Sequence, residues 1–138
     1  MKKIGMILDN SFPPDPRVEN EAVTLVNAGF EVFLFCLSYN NQKDDVIKGI
    51  QVKRYSSNKI EYKLSALAYT ISAYSFFMKR KIEDFIKDNN IQFLHIHDIR
   101  IAGSVFKANK RFNLPVVLDL HDNYPEVMKL YPHLQKFP

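Results

Sequence analysis

The chain has 138 residues, one cysteine, no tryptophan and a formal charge of +4. That length suits one domain with a real core, and the lone cysteine excludes an intramolecular disulfide. The basic residues are dispersed apart from Lys79-Arg80-Lys81, too thin a footprint for nucleic acid, though compatible with an anionic substrate or membrane surface.

Ile4 to Leu8 is an apolar run read as a first strand. Asn10, Ser11, Pro13 and Pro14 then resist regular structure, so Asp9 to Asp15 is a loop. Asp15-Pro16 has the form of a helix start, with an N-cap followed by proline at the first helical position. Val18, Ala22, Leu25 and Val26 recur at helical spacing, and Gly29 is the expected stop. Val32 to Leu37 is a second, almost wholly apolar strand, with Cys36 read as a buried thiol.

After a polar loop, Val46-Ile47 and Ile50 to Tyr55 are divided by Gly49. The second piece alternates apolar and polar and reads as an edge or half-exposed strand. Lys63 to Asn90 is helical in pattern, with a break expected near Met78. Its apolar section, Leu64 to Met78, is shorter than the roughly 20 residues of a membrane span, and a packed helix is preferred to a membrane-surface one. Phe93 to His97 is a strand, and Ile101 to Phe112 is a helix terminated by Asn113 and Pro115. Val116 begins a further strand, and Tyr124 to Leu130 could supply one or two helical turns.

Strands alternating with helices predict an α/β fold with a doubly wound, mostly parallel, Rossmann-like sheet. Right-handed crossovers bring the polar strand ends to one edge. Three loops should meet there: Asp9 to Asp15, His97 to Arg100, and His121 to Glu126.

The glycine-rich dinucleotide fingerprint, the Walker pattern and the nucleophile elbow are all absent. A phosphoreceiver domain is set aside because its acidic pair is only partial and no lysine closes the later strand. The helix after the first loop offers a modest anion site to which Arg17 could add charge. A salt bridge from Arg17 to Glu21 is the plainer expectation. His95-Ile96-His97-Asp98 invites a metal reading, with Asp98 and His121 needed to complete the ligand set. The preferred reading has no metal: His95 is packed under a helix, and His97 ends a strand with Asp98 orienting a loop.

Three strings in order carry a resemblance: Phe12-Pro13-Pro14-Asp15-Pro16-Arg17-Val18-Glu19-Asn20-Glu21-Ala22, His95-Ile96-His97-Asp98, and Leu118-Asp119-Leu120-His121-Asp122-Asn123-Tyr124-Pro125-Glu126. Over nearly its full length the chain resembles the N-terminal half of glycosyltransferase family 4 enzymes, which have the two-domain GT-B fold. The resemblance implies a retaining transfer of sugar from a nucleotide-sugar donor to a polysaccharide or glycolipid acceptor, with no cofactor and no essential metal. It places His121 at the transferred sugar as the catalytic candidate. His97 and Asp98 fall on the acceptor side, and Asp122 and Glu126 are orienting groups. Asn10, Pro14 and Arg17 complete the substrate-binding set, on the loop that opens toward the interdomain cleft.

The partner domain with its paired glutamates is not in these 138 residues, so a truncated domain, inactive alone, is the expectation. The expected location is cytoplasmic, with peripheral contact at the inner membrane face in view. The second reading is a non-catalytic binding module, or a half-enzyme that docks with a separately encoded partner.

Overall fold

The computed structural model describes residues 1–58, 60 and 72–120. In chain order the elements are β1 (Lys3–Leu8), α1 (Pro16–Asn27), β2 (Glu31–Ser38), β3 (Asp45–Ile47), β4 (Ile50–Ser56), α2 (Ser72–Asn89), β5 (Phe93–His97), α3 (Ile99–Asn109) and β6 (Val116–Asp119). They form a six-stranded sheet in the order β3-β4-β2-β1-β5-β6, parallel except for β3. The expected doubly wound α/β architecture is therefore observed.

The alternation of side chains along the strands sorts the core into two layers. Ile4, Met6 and Leu8 of β1 join Val32, Leu34, Val52 and the α1 residues Val18 and Ala22 on one face. Ile7, Phe33, Phe35, Leu94 and Ile96 join Met78, Ile82 and Phe85 of α2 and Ile101 and Val105 of α3 on the other. Gly5 points into this second layer, where an added Cβ would lie 2.8 Å from Ile91 and 2.9 Å from the Phe85 ring. A glycine there lets the helix side chains approach the sheet.

Asp15 has extended backbone and accepts a hydrogen bond from the Val18 N–H at 3.2 Å, with Pro16 at the first helical position. The helix ends at Gly29, whose φ of +92° would strain any other residue. Asp15→Ala should lower stability by about 1 kcal/mol, read as a shift of the urea midpoint at constant slope.

The structure corrects two local expectations. Of the two readings of β4, half-exposed holds and edge does not: β3 folds back antiparallel and takes the edge, while β4 pairs with β2 on its other side. The turn is made by Lys48 and Gly49, both at positive φ. Nor does α2 break at Met78, which is fully buried within a continuous helix from Ser72. The expected helical residues before 72 lie outside the described residues, as does Tyr124 to Leu130. Among the described residues, no helix is long and apolar enough to cross a membrane.

Candidate functional site

In a doubly wound sheet the ligand crevice opens where the strand order reverses, beyond the carboxyl ends of the strands. Here the reversal lies between β1 and β5. The register sets Leu8, His97 and Asp119 in one row across the sheet. The chain leaves that row at Asp9 and Asp98, so these two carboxylates sit side by side just past the carboxyl ends of β1 and β5.

Asp9 is buried, its side chain only 2% exposed. Oδ1 accepts a hydrogen bond of 2.6 Å from the Tyr74 hydroxyl, itself buried on α2. Oδ2 lies 3.8 Å from Arg100 Nε. Burial pushes the Asp9 carboxyl up to about 6, against the Tyr74 hydrogen bond and the Arg100 charge, both of which favour the anion. The nearby Asp98 charge adds to the rise. Burial, then the Asp9 charge, pushes the Tyr74 hydroxyl upward too, so Tyr74 is the proton donor of the pair.

Asp98 caps α3. Its Oδ1 accepts from the Arg100 N–H at 3.1 Å, and its Oδ2 receives the Arg100 guanidinium at 3.2 and 3.3 Å. Its φ of +108° is unusual for a residue other than glycine. The cap and the two-pronged arginine contact hold this strained backbone in place. Arg100 thus bridges a buried carboxylate and a half-buried one while keeping part of its own surface exposed.

The loop after β1 continues directly from Asp9. Phe12 is buried in the α1-side core, and the Phe12 carbonyl accepts from Arg54 Nη2 at 3.1 Å. The Asn10 carbonyl accepts from the Leu37 N–H at 2.9 Å. Asn10, Pro14 and Arg17 are exposed on this loop and the start of α1. Arg17 does not pair with Glu21 as expected. It lies 3.8 Å from Asp15, within the same helical turn, while Glu21 turns toward β5.

His97 is fully buried on the α1 face of the sheet, beside His95, with ring centroids 4.2 Å apart. Glu21 Oε2 sits 3.6 Å from His95 Nε2 and 3.7 Å from His97 Nδ1. Asp119, opposite His97 in the register, completes a group whose ligand-capable atoms all lie within 4.8 Å of one another. Asp98, the expected companion of the two histidines, instead faces Arg100 at the strand end. A depression of about 410 Å³ lined by Asn20, Glu21, Thr24, Leu25 and His95 opens onto this group.

The expected meeting of the first two loops is realised through Asp9 and Arg100. His121, Asp122 and Glu126 lie outside the described residues. Asp9, Tyr74 and Arg100 were not among the sequence candidates. An acidic residue directly after the first strand was a usable signal for Asp9, but nothing local marks a tyrosine in an apolar helix 65 residues away.

The fold is shared with two structures of the C-terminal domain of a hydrogenase from Pyrococcus furiosus. These match with TM-scores of 0.62 and 0.57 at 14% and 15% identity, each covering 86% of this chain and 91% of that one. Such identity speaks to the fold alone. A predicted subunit of a tRNA methyltransferase from Methanocaldococcus jannaschii aligns over 99% of this chain and 76% of its own, at 14% identity and a TM-score of 0.47. No curated protein matches the chain. The sequence profile of Glycosyltransferase Family 4 matches residues 17–137, most of the chain, which therefore belongs to Glycosyltransferase Family 4.

Proposed function

We propose that this chain is the acceptor-side domain of a retaining glycosyltransferase. Its donor is a nucleotide sugar, and its acceptor is a polysaccharide or a lipid-linked saccharide. The observation that carries this reading is the Asp9–Arg100–Asp98 bridge at the topological switch point of a chain in this family. Sugar hydroxyls need paired donors and acceptors held in fixed positions. Arg100 and Asp98, each only partly buried, are a charged donor and acceptor of that kind, and Asp9, held by the Tyr74 hydroxyl, lies behind Arg100. Asn10, Pro14 and Arg17, exposed on the neighbouring loop and helix start, are assigned to the same substrate-binding set.

In the reaction the bond from the anomeric carbon to the phosphate oxygen breaks and the glycosidic bond forms. The acceptor hydroxyl's proton leaves with the nucleoside diphosphate. His121 is assigned to the transferred sugar, where an imidazole can hydrogen-bond it and offset developing positive charge. Asp122 and Glu126 orient it. A second domain is assigned most of the nucleotide contacts. Without it, positioning is incomplete and turnover by this chain alone should be negligible. The exposed Phe76 and Phe77, next to Lys79-Arg80-Lys81 on α2, support peripheral contact with an anionic membrane, which is assigned to the cytoplasmic side.

The test is saturation-transfer NMR on the purified chain with a panel of oligosaccharides and lipid-linked saccharides. Binding should be seen for at least one class and weakened roughly tenfold or more by Arg100→Ala, as expected for losing hydrogen bonds from a charged donor. A folded chain that binds no saccharide would sink the acceptor-side reading. It would leave a module that docks with a separate partner.

A further inference from the structure

We propose that Glu21, His95, His97 and Asp119 form a zinc site that fastens α1 to β5 and β6. Two imidazoles and two carboxylates are a donor set suited to a first-row divalent ion, whereas magnesium and calcium favour all-oxygen surroundings. The ligands come from three separate elements. His95 and His97 share one face of β5 because they are two apart in a strand. Asp119 is the register partner of His97 on β6, and Glu21 comes down from α1.

The four ligand-capable atoms already converge within 4.8 Å. Donors bound to zinc at about 2.0–2.1 Å lie about 3.3 Å apart around a tetrahedron. Glu21 Oε2 is 3.6 and 3.7 Å from the two imidazole nitrogens, too long for good hydrogen bonds and close to that ligand–ligand spacing. This oxygen is inaccessible to solvent and accepts no hydrogen bond from the described residues. A cation between the two rings would satisfy it. With both imidazoles neutral, the two carboxylates and one divalent ion sum to zero charge, a favourable way to place two anions beside a buried histidine.

The location gives such an ion structural work. On the α1 face, β6 exposes Val117 at 62%, so among the described residues little apolar packing holds this side of the sheet edge. Coordination would supply what the core does not. The depression beside Glu21 and His95 provides an entry path from solvent.

The experiment titrates Zn²⁺ into the untagged full chain against a chromogenic chelator, with folding followed by far-UV circular dichroism. One equivalent should bind with a dissociation constant below about 1 µM, and saturation should raise Tm by roughly 5 °C or more. Glu21→Gln and Asp119→Asn keep the side-chain shapes, and each should weaken binding tenfold or more. Glu31→Gln, remote from the site, should leave affinity unchanged. The Co²⁺-loaded chain should show visible bands of tetrahedral intensity that His95→Gln removes. A folded wild-type chain that binds no stoichiometric zinc would overturn the proposal. So would an affinity that neither Glu21→Gln nor Asp119→Asn alters.

Discussion

Asp9→Asn is expected to be more stable than the wild-type chain at pH 8, by about 1–3 kcal/mol, and no more stable at pH 3.5. The folded-state value near 6 lies above the ordinary 3.8. Between these two values the folded chain therefore holds a proton that the unfolded chain has lost. The stabilisation is complete below pH 3.8 and disappears as pH rises through 6. Above that, Asp9 is an anion in a site whose burial outweighs Tyr74 and Arg100 together. An asparagine keeps an acceptor for the Tyr74 hydroxyl and removes the charge. Its amide group would face the Arg100 guanidinium, which holds the gain toward the lower end of the range.

The readout is the difference in Tm between variant and wild type at the two pH values. A gain of several degrees at pH 8 should vanish at pH 3.5, and a difference independent of pH would contradict the account. The same variant should bind saccharide less well, because Arg100 loses the buried charge beside it. A residue whose ionised form destabilises the fold and supports the site is the pattern expected where function and stability compete.

Phe85→Ala should remove a large part of the stability of the domain. Phe85 is fully buried at the meeting point of α2 with the sheet. Its ring packs edge-on to Phe35 at 5.6 Å and to Tyr55 at 6.3 Å. It also fills the space that Gly5 leaves open. Truncation loses the burial of an aromatic ring and leaves a cavity that rigid β1 and β2 cannot close, for a loss of about 3–5 kcal/mol. Domains of this size are typically stable by about 5–15 kcal/mol, so the variant should unfold in mild denaturant. Urea titration checks it. A loss under about 1 kcal/mol would mean that the α2 side chains repack, and that Gly5 is not there to admit this ring.

How much of this was legible beforehand differs by element. The parallel strands β1 and β2 are apolar on both faces because helices cover both. Their residues read as continuous apolar runs that no neighbour in sequence could disguise. The start of α1 was equally clear, since an Asp-Pro cap acts within a single turn. The role of β4 was not, because alternation marks a half-exposed strand without saying whether another strand lies beside it. Only the fold-back of β3 at Lys48-Gly49 decides that.

At the site, the sequence alone determined that an α/β sheet would bring the ends of β1 and β5 together with acidic groups on them. Right-handed crossovers between parallel strands put those ends on one edge whatever the strand order, and family membership was readable in three ordered strings. Tertiary structure decided which groups face which. Glu21 lies on the inward side of α1 and reaches two histidines 74 and 76 positions later, whereas Arg17, one turn away, faces outward to Asp15. Tyr74 meets Asp9 across 65 positions. These pairings depend on the rotation of a helix about its axis and on the register between strands. Both are set by the packing of the whole core, and no local pattern of residues records them.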